Sequence, residues 1–113
     1  MKKIILGLML FVVALSAQAQ EKKNKNAKYE FDVNGNCEMC KKRIEKAAFG
    51  VAGVKSATWS IEDHTMQVIV NEEKNSNLEV KKAIANVGHD TDDVKATDEV
   101  YKKLHGCCAY NRE

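Results

Sequence analysis

The sequence predicts an α+β sandwich with the element order β-α-β-β-α-β. Three observations carry that prediction: three short segments alternate apolar and polar residues, two longer ones carry apolar stripes at helical spacing, and serine or glycine punctuates the helices. Lys28 to Val33 alternates, with Tyr29, Phe31 and Val33 on one face, and reads as the first strand. A helix follows from about Met39 to Phe49. Its stripe is Ile44, Ala47, Ala48 and Val51, and Gly50 and Gly53 end it and turn the chain. Val54 to Ile61 is the second strand, with Ala57, Trp59 and Ile61 sharing a face. Glu62-Asp63-His64 makes a hairpin turn into the third strand, Thr65 to Val70, with Met66, Val68 and Val70 inward. Ser76-Asn77-Leu78-Glu79 is a capping box that opens a second helix. Its stripe is Val80, Ala83, Ile84 and Val87, and Gly88 sits where a left-handed C-terminal residue belongs. Thr91 to Ala96 is a weaker fourth strand.

This order is the ferredoxin-like split arrangement: a four-stranded antiparallel sheet with two helices on one face. Phe31 and Trp59, on inward faces, belong to its core. The loop after strand one and the loop after helix two fall at the same end of such a sheet. Thr97 caps a further short helix with Val100, Tyr101 and Leu104 on one face, forming a C-terminal helical tail.

Residues 1–19 read as a secretion signal. Lys2 and Lys3 form a basic start, Ile4 to Leu15 is almost wholly apolar, and Ala17-Gln18-Ala19 is a small-residue cleavage site. The apolar run is shorter than the roughly 20 residues of a membrane span. No cysteine follows it to take a lipid anchor, so no stable membrane insertion is expected after cleavage. The predicted destination is the periplasm or the exterior. Residues 20–27 read as a flexible polar leader, 28–96 as one domain and 97–113 as the tail. The formal charge of +2 comes from the signal. The mature chain is near neutral, with few aromatics and no basic stripe, which argues against nucleic acid.

Chemistry concentrates on the cysteines. Cys37 and Cys40 form a Cys-x-x-Cys at a strand-to-helix junction, where a helix N-terminus favours thiolates. Paired thiolates suit a soft metal or dithiol redox chemistry. Cu(I) is satisfied by two thiolates, or by three ligands. Lys41, Lys42 and Arg43, with the helix N-terminus, offset the negative charge of such a site or simply form a solvated helix face. Glu38 is expected to face solvent, and Met39 is expected to be an exposed or half-buried thioether rather than a ligand. His89, at a loop tip facing the thiols, is a candidate third ligand. His64 is placed at the far end of the sheet, away from the thiols, as a surface residue. His105 travels with the tail.

Cys107 and Cys108 admit three readings: completion of a four-thiolate site that favours Zn(II), a second soft-metal or redox pair, or surface thiols. Both cysteine pairs are local in sequence, so neither makes a useful structural staple. The run Asp90-Thr91-Asp92-Asp93 lacks the spacing of a calcium loop and reads as a polar lead into strand four.

Over Lys28 to Ala96 the chain resembles the heavy-metal-associated domain family. The resemblance rests on Cys37-x-x-Cys40, on Gly50-Val51-Ala52-Gly53-Val54 and on Gly88-His89-Asp90. It implies metal carriage rather than an enzyme, with a metal-transporting ATPase or another metal-carrier protein as partner. Copper, zinc and mercury all accept the pair. An Asp before the first cysteine marks the family's zinc and cadmium members, and Asn36 holds that place here. The family's buried methionine two residues before the first cysteine is Gly35 here, which implies weaker packing and a more mobile loop. His89 stands where bacterial members often have Tyr or Phe, and the family's basic domain lacks the Cys107-Cys108 tail.

The expected function is therefore an exported carrier or scavenger of Cu(I), with Zn(II) or Hg(II) as alternative ions. The rivals are a thiol–disulfide oxidoreductase and a structural zinc protein using all four cysteines. The chain has no proline, and so lacks the cis-proline that faces the thiols in thioredoxin-like enzymes.

Overall fold

The computed structural model describes residues 23–104 and 106–112. The signal segment, the first three residues of the leader (20–22), His105 and Glu113 lie outside the described residues. Three strands are formed: β1 (Ala27–Asp32), β2 (Val54–Trp59) and β3 (Thr65–Val70). The order across the sheet is β1-β3-β2, antiparallel throughout. Phe31 and Trp59 both pair with Met66 in the central strand, so the inward residues of all three strands meet at one level.

Two helices cover the inner face, α1 (Glu38–Phe49) and α2 (Asn77–Asn86). Ile44 and Ala48 of α1 and Val80 and Ile84 of α2 close the core over Phe31, Val33, Trp59, Met66 and Val68. Ser76 caps α2, its hydroxyl accepting from the Glu79 N–H at 3.4 Å. The Glu79 carboxylate pairs with Lys82 instead of reaching back, so only half of the predicted capping box forms. Gly88 adopts φ 108°, as its place after α2 requires. Among the described residues, no helix is long and apolar enough to cross a membrane.

The fourth strand is where the sequence prediction fails. Among the described residues the sheet has three strands, and the 91–96 segment contributes a single bridge, Val33 to Thr91. The chain does run along the free edge of β1: Asn34 N–H donates to Asp90 O at 2.9 Å and Asp92 N–H to Asp32 O at 3.2 Å. Thr91 then ends the ladder. Its hydroxyl accepts from the Val94 N–H at 2.8 Å, and its N–H donates to Val94 O at 2.8 Å, closing a turn. Lys81 draws Asp92 and Asp93 onto α2 at 3.1 and 2.7 Å. The acidic run is therefore a turn bound to a helix.

Thr97 caps the short helix α3 (Asp98–Lys102), as predicted, its hydroxyl accepting from the Val100 N–H. A 3₁₀ turn, Gly106–Cys108, follows and contacts α1. Leu104 packs so closely on Gly88 that a Cβ there would lie 2.8 Å from its Cδ2. The tail is docked on the domain at the end of the sheet that carries the first cysteine pair.

A sulfur cluster at the end of the sheet

Cys37 occupies the N-cap position of α1 with extended backbone, and Cys40 falls in the first turn. Three-residue spacing in that turn sets their sulfurs side by side, 3.5 Å apart. Cys40 is fully buried and Cys37 half-buried. The loop before them is tightly packed. A Cβ on Gly35 would lie 3.0 Å from the Trp59 ring and 3.2 Å from Cys40 Cβ. The Trp59 indole, whose N–H donates to Val33 O at 3.0 Å, fills the space beneath the loop. Where Gly35 implied weaker packing beneath the loop, the Trp59 ring occupies that space.

The hairpin tip corrects a second expectation. His64 lies at the same end of the sheet as the thiols: it stacks on Trp59, with ring centroids 5.6 Å apart, and its carbonyl accepts from the Val33 N–H at 2.9 Å. In this topology β2 runs toward the end where β1 finishes, so their following loops must share it. His64 is exposed and takes φ 59°, a left-handed turn conformation.

The tail brings the second pair to the first. Cys37 Sγ is 3.3 Å from Cys107 Sγ and 3.5 Å from Cys108 Sγ. Cys107 lies 3.4 Å from the Met39 sulfur and 3.9 Å from Cys108. All four cysteines are free thiols. Among the described residues, the ligand atoms of Cys37, Cys40 and Cys108 form one group within 4.8 Å of one another.

Neither Cys107 nor His89 is a member of that group. His89 does reach the loop, but its Nδ1 sits 2.8 Å from Asn34 O. Its ring is buried, with Nε2 lacking a hydrogen-bond partner among the described residues, and it stacks on Tyr110. Burial lowers its pKa below 6.5, against a raising contribution from the Asn34 carbonyl.

The thiols are electrostatically unequal. Slight burial raises the Cys37 pKa. The Cys40 backbone N–H, which faces this sulfur without completing a capping bond, and the three neighbouring thiols outweigh that and bring it from 9.0 to about 7. Burial raises Cys108, as do Cys40 and Cys37, while Arg43 lowers it. Cys107 is raised, chiefly by its contact with Cys37. Of the three basic residues after Cys40, Lys41 is engaged elsewhere, by Glu45 at 2.6 Å and Trp59 O at 2.8 Å. Lys42 is exposed, and Arg43 is the one set against the thiols. Glu38 faces solvent as expected, and Met39 is 45% exposed.

Sequence reasoning missed what holds the tail. The Tyr110 hydroxyl donates to Gly88 O at 2.7 Å and accepts from the Asp90 N–H at 2.9 Å. Arg112 grips the buried Asp90 carboxylate through Nε at 2.9 Å and Nη2 at 3.1 Å, and donates to Ala96 O at 2.7 Å. Tyr101 donates to Tyr110 O and carries the Arg112 guanidinium 4.7 Å above its ring. The one signal in the sequence was an aromatic and a basic residue two and four positions after Cys108, which is too common a pattern to single out.

A three-stranded sheet backed by two helices, with clustered thiols at the strand-to-helix junction, defines a small soft-metal-binding domain. The chain belongs to the heavy-metal-associated domain family, whose model matches residues 30–110. No curated protein matches it. Among solved structures it is similar to a CopZ metallochaperone, at 29% identity and TM-score 0.56, over 57% of this chain and 98% of that one. It is similar to oxidized MerP from Ralstonia metallidurans CH34, at 25% identity and TM-score 0.56, over 58% and 93%. It is also similar to the Cu(I)-loaded N-terminal domain of a potential copper-translocating P-type ATPase from Bacillus subtilis, at 31% identity and TM-score 0.56, over 58% and 84%.

Proposed function

We propose that this protein is an exported carrier of Cu(I), held by Cys37 and Cys40 and passed to a partner by thiolate exchange. The observation that carries the reading is the asymmetry of the pair: Cys40 is buried as a fixed anchor, while Cys37 is accessible and its pKa is lowered to about 7. A soft monovalent ion fits two such sulfurs. An incoming thiolate would bond to the ion first, and Cys37 would then leave. A metallochaperone and a copper-ATPase domain among the similar structures support a metal-transporting ATPase or another carrier as the partner. The apolar run and cleavage site within residues 1–19 support export to the periplasm or exterior.

The test is an anaerobic titration of the reduced protein starting at Gln20, with Cu(I) and separately with Zn(II), against a competing chelator. One Cu(I) per chain is expected, bound more tightly than Zn(II) and lost in the Cys37→Ser/Cys40→Ser double variant. Selective Zn(II) binding, or Cu(I) binding that survives this double substitution, would overturn the reading.

A further inference from the structure

The third position of the metal site is open in a Cys-x-x-Cys carrier, and in this chain a sulfur stands beside it. We propose that Cys108 is an inner ligand, so that the docked tail converts a two-thiolate loop into a three-thiolate site. Arg43 would be the counter-cation. The inference rests on the metal-binding reading above and extends it to residues outside the Cys-x-x-Cys loop.

Geometry is the first argument. A metal–thiolate bond of about 2.3 Å places two sulfurs about 4.6 Å apart in a linear complex and about 4.0 Å apart in a trigonal one. Cys37 lies 3.5 Å from both Cys40 and Cys108. Those separations are nearer the trigonal value, and all three sulfurs fall within 4.8 Å of one another. An ion at their centre needs only a small expansion of the triangle.

The setting of Cys108 is the second. Buried free cysteines commonly pack as small apolar groups. Cys108 is fully buried, but its sulfur faces Cys37, Cys107 and the Arg43 guanidinium rather than aliphatic carbon alone. Three thiolates around one Cu(I) leave two net negative charges, which a partly buried site must offset. Nη1 of Arg43 is buried without a hydrogen-bond partner among the described residues, although buried guanidinium groups are normally paired. An anionic cluster would give it one.

The third is preorganisation. Tyr110, two residues beyond Cys108, is bolted to Gly88 and Asp90, and Arg112 holds the buried Asp90 carboxylate. The cost of ordering the tail is thereby met by protein–protein contacts before any ion binds. Cys107, exposed and 3.3 Å from Cys37, stays outside the triangle, where an incoming acceptor thiolate would find it.

X-ray absorption of the Cu(I)-loaded wild-type protein tests this, beside Cys108→Ala and Arg43→Gln. Three sulfur neighbours are expected in the wild type and two in Cys108→Ala. Arg43→Gln is expected to keep three but to bind Cu(I) on the order of tenfold more weakly in chelator competition. Two sulfurs in the wild type, with unchanged affinity in Cys108→Ala, would overturn the inference and leave the two-cysteine carrier standing. Three sulfurs retained in Cys108→Ala would assign the third to Cys107 or Met39, and a nitrogen neighbour would assign it to His89; either result overturns the role of Cys108. No Cu(I) binding by the wild type would end both readings. If Cys108→Ala does not fold, Cys108→Ser takes its place, and three sulfur neighbours retained there overturn the inference in the same way.

Discussion

The two cysteine pairs reach the same place by opposite means. Cys37 and Cys40 are set by local rules: a strand ends, a helix begins, and three-residue spacing puts both sulfurs on its first turn. Cys107 and Cys108 arrive from seventy residues away and are fixed by side chains that follow them, Tyr110 and Arg112. Each pair nevertheless splits in the same way, with Cys40 and Cys108 buried and Cys37 and Cys107 accessible. A site needs both a fixed donor and an exchangeable one. Here the hydrophobic core fixes the first pair, and a polar clasp fixes the second.

The comparison breaks most visibly if the core is cut beneath the first pair. Trp59 is fully buried, fills the space under Gly35 and holds the β1 end through Val33 O. Trp59→Ala is expected to cost about 3–5 kcal/mol of global stability, the usual range for emptying such a site. Chemical denaturation of the reduced, metal-free protein measures it. A loss below about 1 kcal/mol would mean that the loop is held by something other than this ring.

Cutting the clasp is expected to do less to the whole and more to the tail. Arg112→Ala leaves Asp90, whose side chain is 5% exposed, with the Ala96 N–H as its remaining strong donor. That change should weaken tail docking by about 1–3 kcal/mol, the scale of a hydrogen-bonded charge left unpaired. The core transition should move much less. The readout is the rate at which Cys108 is alkylated in the metal-free protein, together with amide exchange over residues 106–112. Cys108 staying as protected as in the wild type would show that the 3₁₀ turn docks without Arg112.

The same division explains what the sequence revealed. Period-two and period-3.6 patterns are local, so β1 to β3, α1 and α2 were legible within two residues of their ends. The Cys-x-x-Cys, the Ser76 cap and the Thr97 cap were legible for the same reason. The fourth strand was misjudged because Thr91 to Ala96 alternates weakly, and a single threonine hydroxyl closing on Val94 was enough to turn the chain away. His64 was misplaced by an error of topology rather than of pattern. The burial of His89 was hidden because Tyr110, its stacking partner, comes from outside the domain that the pattern defines. Gly35 looked like a missing methionine, because its partner Trp59 is twenty-four positions away and no pairwise signal ties the two.

The finest distinction lies between the two sulfurs nearest each other across the pairs. Cys37 is lowered to about 7, whereas Cys107 and Cys108 are raised above their ordinary value of 9.0. A thiolate reacts and a thiol does not, so the metal-free, reduced protein should be alkylated first at Cys37. The rate at that residue should rise through a midpoint near pH 7. At the same pH, Cys108 should stay unmodified, since burial and its neighbours keep its proton on. The hydrogen-bonding contact with the Cys107 thiol helps to hold the Cys37 pKa down, so Cys107→Ala should move the midpoint upward. Mass spectrometry of the labelled peptides across a pH series reads both effects. A midpoint close to 9.0 in the wild type, or one indifferent to Cys107→Ala, would mean that the two pairs do not share protons. The tail would then lie beside the first pair without acting on it.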